Sequence, residues 1–178
     1  MTARDRLLEQ INAKAVVRGR VTLSSGQQAD YYVDLRRITL DGGAAPLVGQ
    51  VMRQATELLH YDAVGGLTLG ADPVATAMLH TAAQAGERLD AFVVRKAGKT
   101  HGLQRRIEGP DVSGRRVLAL EDTSTTGESV LAAVQALREA GADVVAVAVI
   151  VDRGARGAVE AAGLPYVAAF EAADLALG

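Results

Sequence analysis

The chain contains no cysteine and no tryptophan, and only two phenylalanines, four tyrosines and four prolines among its 178 residues. Without cysteine there is no disulfide, no thiolate nucleophile and no cysteine-based zinc site. Aromatics are 3% of the chain while hydrophobic residues reach 49%, so a globular core must be built from aliphatic side chains. No N-terminal apolar run resembles a signal peptide, and no stretch of about 18 apolar residues could span a bilayer. The formal net charge of -2 provides no surplus of cation for general nucleic-acid binding. These absences lead us to expect one cytoplasmic domain spanning residues 1–178, with neither membrane nor nucleic acid as a partner.

What is present centres on Val117-Leu118-Ala119-Leu120-Glu121-Asp122-Thr123-Ser124-Thr125-Thr126-Gly127-Glu128-Ser129. A buried strand runs into two adjacent acids, then a hydroxyl-rich loop, and then helical spacing from Val130 to Ala140. The start of a helix leaves backbone N–H groups unpaired and carries partial positive charge, so with the hydroxyls it forms an anion cup. The carboxylates stand at the carboxyl end of the strand, where open α/β sheets take their ligands. A ligand suited to both has a phosphate for the cup and a polyol, or a metal, for the acids; ribose 5-phosphate fits. A capping box formed by Thr125 and Glu128 is the plainer explanation, but it accounts for neither the acid pair nor the other hydroxyls.

The rest of the chain alternates in the same manner. Thr2 to Ala15 reads as a helix, and Val21-Thr22-Leu23 and Tyr31 to Leu35 as short strands about a Ser24-Ser25-Gly26 turn. Tyr31 and Tyr32 point to opposite faces, so at most one packs inward. Asp41 to His60 has helical spacing with Leu47, Val51, Leu58 and Leu59 as core candidates. Ala63 to Gly66 reads as a buried strand, with Asp72-Pro73 as cap and first residue of a helix to about Ala85. The intervening loop, flanked by Gly66 and Gly70, offers a second backbone anion site. Val144 to Val151 is apolar throughout, as in a strand buried on both faces. Asp152-Arg153-Gly154 follows it, where an arginine is suited to an ion pair with Asp152 or Glu121, or to a ligand carboxylate.

After the strand Ala91–Val94 comes the second informative stretch, Arg95 to Arg106, with five cationic side chains and no acid. Two of the three lysines of a chain that otherwise uses sixteen arginines, Lys96 and Lys99, fall in it. A mobile ammonium able to give up a proton suits such a site better than a guanidinium. Gly98 and Gly102 permit movement, and like charges gathered in one loop repel unless a polyanion joins them.

In this order the motifs resemble the type I phosphoribosyltransferases, and within them the orotate branch, in the short form of high-GC bacteria. The resemblance rests on the strand–acid pair–Thr/Gly loop at 118–129 and on Arg95-Lys96-Ala97-Gly98-Lys99-Thr100-His101-Gly102. Ser25-Gly26 with Tyr31-Tyr32, and Asp152-Arg153, complete it. It implies an α/β fold with a mainly parallel sheet flanked by helices. A small hood would come from about residues 1–40 and the C-terminal segment. It further implies transfer of a phosphoribosyl group from phosphoribosyl diphosphate (PRPP) to orotate, with Mg²⁺ as cofactor and no protein metal ligands. Lys99 and Asp122 would be catalytic. PRPP would be bound by Arg95, Lys96, Lys99, His101, Glu121, Asp122, Thr123, Ser124, Thr125, Thr126, Gly127, Glu128 and Ser129. Thr125, Arg153, Tyr31 and Tyr32 would face orotate. A homodimer would share the basic loop across its interface. Two positions depart from the family pattern: Ser24 stands where many relatives have Lys, and Leu69-Gly70 where many have Tyr-Lys. The rival readings are a phosphoribosyltransferase for another base, a PRPP-sensing regulator without catalysis, and a dinucleotide binder, which the missing glycine fingerprint disfavours.

Overall fold

The structure, a computed structural model, describes residues 1–22, 28–96 and 106–177. Helix α1 (Ala3–Gln10) starts at a capping box, in which Thr2 Oγ1 accepts from the Asp5 N–H and Asp5 Oδ2 from that of Thr2. A single wider turn, Ile11–Ala15, leads into an antiparallel pair, β1 (Val16–Thr22) and β2 (Gln28–Val33). Then come α2 (Arg36–Thr39), α3 (Ala45–Ala55), β3 (Ala63–Leu67), α4 (Ala71–Gln84), β4 (Asp90–Val94) and β5 (Ile107–Glu108). The remainder is β6 (Arg116–Ser124), α5 (Glu128–Glu139), β7 (Asp143–Asp152), α6 (Arg156–Ala161) and β8 (Tyr166–Glu171), closed by a 3₁₀ turn at Ala172–Asp174.

The main sheet has the order β5-β4-β3-β6-β7-β8, parallel except for β5, which pairs antiparallel with β4. The chain steps outward from β3 to β4 and then returns to lay β6 on the other side of β3. That reversal opens a crevice beyond the carboxyl ends of β3 and β6, the usual ligand position in such sheets.

Strand alternation decides what lies on each face. Leu118 and Leu120 of β6, with Ala146, Ala148 and Ile150 of β7, pack under α1, α3 and α4. Val117 and Ala119, with Val147 and Val149, pack on the other face against α5 and α6. Both faces are covered, which is why β6 and β7 read as continuous apolar runs. Phe92 and Phe170 are among the largest fully buried side chains, but aliphatics supply most of the core.

Two local expectations change, and one alternative is removed. Leu58 is 88% exposed, because α3 ends at Ala55 and the next residues turn away from the core. Asp72 does not cap α4: Gly70 holds the cap position, and Asp72 sits inside the first turn with its Oδ2 accepting from Thr68 Oγ1 at 2.7 Å. The capping box of Thr125 and Glu128 is not formed. Strand β6 runs on to Ser124 and α5 begins at Glu128 after Gly127, whose φ of +81° is one that side chains rarely adopt. The Ser24-Ser25-Gly26 turn lies outside the described residues.

Candidate active site

Strand β6 carries Glu121 and Asp122 to the rim of the crevice while both remain buried, 7% and 9% exposed. A cavity of about 610 Å³ opens over them. One wall is Tyr32, Asp34 and Arg36, between the end of β2 and the start of α2. Opposite stand Thr68, Leu69 and Gly70 after β3, with Lys96 after β4 and Ser129 in the first turn of α5 closing the rim. Loops following three parallel strands thus meet at one point, with the second acid positioned by Thr123 N, which donates to Asp122 Oδ1 at 2.7 Å.

Two carboxylates side by side out of water disfavour their own ionisation. Burial, and after it the Asp122 charge, pushes the Glu121 carboxyl up from the ordinary 4.5 to about 8. Burial raises Asp122 too, against the opposing pull of the Thr123 N–H. Asp72 adds negative charge near Glu121, whereas Arg36 favours the charged form of Asp122. Among the described residues, three side-chain oxygens are buried without a hydrogen-bond partner: Thr39 Oγ1, Asp72 Oδ1 and, next to Asp122, Thr123 Oγ1. Such a site is held ready for hydroxyl donors and for positive charge.

Gly70 explains how the loop after β3 reaches the acids. A methyl built on it would fall inside the contact distance of Glu121 Oε1 and 2.8 Å from Asp122 Oδ1, so its bare Cα is what allows the loop over the pair. Gly70→Ala is therefore expected to keep the fold, since only the ends of two side chains must shift, while kcat/KM falls at least about tenfold. Circular dichroism beside steady-state rates checks this; an unchanged rate would show that the acids need no such placement. The expected backbone anion site in this loop is only partly available, because the Thr68 N–H is already bonded to Val94 O at 2.9 Å.

The remaining sequence candidates separate. Ser124 is buried, and its carbonyl accepts the Arg153 N–H at 2.8 Å, tying the β7 end to the β6 end. Thr125, Thr126 and Glu128 are exposed around the open start of α5, where Thr126 Oγ1 accepts from the Glu128 N–H at 3.3 Å. The Arg153 guanidinium lies 5.8 Å from the ring centroid of Tyr31, and Tyr32 OH accepts from Arg36 Nη2 at 3.3 Å. The two tyrosines thus take different partners: Tyr31 also packs on the core, and Tyr32 faces the cavity. Neither acid expected as an ion-pair partner for Arg153 takes that role among the described ion pairs. Arg95 stays out of the cavity and pairs with Glu108 of β5 at 3.4 Å, whereas its neighbour Lys96 faces in. Lys99 and His101 lie outside the described residues. Sequence reading missed Asp34, Arg36, Thr68 and Asp72, which carry no motif and reach the site only through the fold; an Asp and two arginines following a tyrosine strand were the available signal.

A parallel sheet with its switch point beside an acid pair, and a hydroxyl loop opening a helix, together define a phosphoribosyltransferase. The family model for the phosphoribosyl transferase domain matches residues 38–164. The chain is 68% identical over 177 residues to the orotate phosphoribosyltransferase of Streptomyces avermitilis, covering 98% of this chain and 97% of the other. A crystal structure of the Mycobacterium tuberculosis orotate phosphoribosyltransferase with Fe(III) dicitrate superposes with a TM-score of 0.90 at 55% identity, covering 99% of this chain and 100% of that one. Another crystal structure of that enzyme, in complex with PRPP, gives a TM-score of 0.85 at 50% identity, covering 97% and 98%. The chain belongs to the phosphoribosyltransferase family, in its orotate branch.

Proposed function

We propose that this chain transfers the phosphoribosyl group of PRPP to orotate, giving orotidine 5′-monophosphate and diphosphate in pyrimidine biosynthesis. The observation that carries this reading is the buried pair Glu121–Asp122 facing Lys96 and Ser129 across one cavity, with Arg153 at the neighbouring strand end, its N–H on Ser124 O. Relatives that are orotate phosphoribosyltransferases, 56–68% identical along nearly the whole chain, support it.

In the reaction the C1–O bond to diphosphate breaks with its electron pair going to oxygen, and the base nitrogen forms the new bond to C1 and gives up its proton. Positive charge builds on the ribose and negative charge on the leaving group. Glu121 and Asp122 accept hydrogen bonds from the ribose hydroxyls and favour the cationic ring. The 5-phosphate sits on the N–H groups and hydroxyls of Thr123 to Ser129 at the start of α5. Lys96, together with Lys99 and His101, meets the diphosphate, and Lys99 donates a proton to it. Arg153 takes the planar carboxylate of orotate, with Thr125, Tyr31 and Tyr32 near the ring.

Among the described residues no group of three His, Cys, Asp or Glu side chains could hold a metal. The site nevertheless fits Mg²⁺ in its usual manner with phosphates, on substrate oxygens and water beside one or two carboxylates, here Glu121 and Asp122, whose raised pKa values a cation would relieve. Bound Mg²⁺ would supply charge neutralisation of the diphosphate.

We further propose a homodimer in which residues 95–106 of one copy close over the site of the other, excluding water. An apolar groove of about 590 Å³ beside the active cavity, sharing Arg36 and Leu69 with it, supports this. Leu40 and Leu69 on its rim are 73% and 68% exposed, which suits a covered surface better than an open one. Residues 1–40 and the C-terminal segment would act as the hood, linked by Arg4 Nε to Ala169 O and by Ala176 N to Asn12 Oδ1. The same reading places the protein in the cytoplasm; no helix among the described residues is long and apolar enough to cross a membrane.

The test is loss of orotate absorbance on adding PRPP and Mg²⁺, beside diphosphate release with uracil, adenine and hypoxanthine. Turnover of another base with orotate inert would overturn the assignment. PRPP binding without any turnover would favour a regulator.

A further inference from the structure

Behind the Arg153 rim lies a buried polar cluster that the reaction as described does not use. Asp152, the last residue of β7, is 5% exposed, and its Oδ1 accepts from three donors: Tyr166 OH at 3.0 Å, Gly154 N at 3.0 Å and Ala155 N at 2.8 Å. Two of these donors belong to the turn that follows Arg153, so the carboxylate sets the path by which the chain leaves the strand. The third comes from β8, a strand with no residue in the active cavity. From outside, the Arg156 guanidinium lies 5.0 Å from the Tyr166 ring centroid, donates to Tyr166 O at 3.2 Å and pairs with Glu171 at 2.8 Å. The ring therefore has little freedom to move its hydroxyl away from Asp152.

We infer that Tyr166 is a positioning residue for the base subsite, fixing through Asp152 the turn that presents the Arg153 guanidinium to the carboxylate of the acceptor. This rests on the reading of Arg153 given above. Arg153 itself is held at only two described points, its N–H on Ser124 O and its guanidinium over Tyr31. An arginine tied so lightly depends on its backbone for its aim, and a bidentate contact with a planar carboxylate tolerates little rotation. The Tyr166 hydroxyl stays a donor throughout the working range, because burial and then the Asp152 charge raise its pKa. Asp152 stays an acceptor, since its three hydrogen bonds together outweigh burial and lower its pKa.

The experiment compares wild type with Tyr166→Phe, which keeps the ring and removes only the hydroxyl, and with Asp152→Asn, which keeps an acceptor for the turn and alters the partner of Tyr166. Expected for both is a rise of roughly fivefold to tenfold in the KM for orotate, with kcat and the KM for PRPP within about twofold of wild type. Preference for orotate over uracil should fall by a similar factor, a change that loss of stability alone would not produce. Arg153→Ala is the reference. If it raises the orotate KM strongly and neither other folded variant does, Tyr166 has no positioning role. If both substrates suffer equally, its role is structural and the inference also fails. If Arg153→Ala itself leaves orotate binding unchanged, the assignment of Arg153 is the part that falls.

Discussion

Asp122→Asn is expected to lower kcat at least about a hundredfold while leaving the protein folded and no less stable than wild type. The first half follows from where the charge sits: a fixed carboxylate at the rim of a buried cavity is worth more to a developing cation than it would be in water, typically about 10²–10³ in rate for one such group. The second half follows from what the charge costs. Asp122 is 9% exposed beside Glu121, and burial raises both pKa values. The amide removes one of two like charges and retains an oxygen for the Thr123 N–H, so the folded state loses a penalty rather than a support. Thermal melts beside steady-state rates check both halves. A variant that loses its fold along with its activity would mean that the acid is structural.

The pair also sets a pH dependence. The folded pKa of Glu121, about 8, lies above its ordinary 4.5. Between those values the unfolded chain has released a proton that the folded chain still holds, so stability falls as pH rises through the window and levels off above about 8. The loss across the whole window should be at most about 5 kcal/mol, shared by a pair that titrates as a unit. Glu121→Gln should flatten the curve in urea titrations at pH 5.5, 7 and 8.5. An equally steep curve in the variant would place the titrating group elsewhere.

The second large effect is expected at Lys99. Lys99→Ala should reduce kcat at least about a hundredfold while Mg²⁺–PRPP still binds: in the proposed mechanism the ammonium supplies the proton that the leaving diphosphate takes, whereas its share in holding PRPP is one contact among many. Calorimetric titration with PRPP beside single-turnover rates separates the two effects; wild-type turnover would remove the lysine from the mechanism. If the loop serves the neighbouring copy, an inactive Lys99→Ala chain mixed with an inactive Asp122→Asn chain should recover up to about a quarter of full activity, since only one site of each mixed dimer has both groups. No recovery after confirmed subunit exchange would count against sharing.

Much of this was legible without coordinates, and for local reasons. Strand β6, its acid pair and the hydroxyl loop are consecutive in the chain, so their chemistry is printed in one place. The same holds for β7, whose apolar run shows burial on both faces, and for Asp152-Arg153 at its end. Errors fell where one residue's geometry overrides a pattern. Gly70 takes the cap position of α4 from Asp72, and α3 stops before Leu58 can turn inward. Where each basic side chain after β4 points was not legible either, and is not an error: Lys96 enters the cavity and Arg95 pairs with Glu108.

The sequence by itself determined the alternating α/β plan, the aliphatic core and the acid pair followed by a hydroxyl loop at a helix start, because periodicity and motif chemistry act over a few neighbouring residues. Only the tertiary structure decided that Gly70 must lie bare against the acids, that Asp34, Arg36 and Asp72 share their environment, and that Tyr166 of β8 reaches Asp152. Those relations join residues far apart in the chain, and they exist only once β3, β6, β7 and β8 lie side by side with their carboxyl ends on one rim.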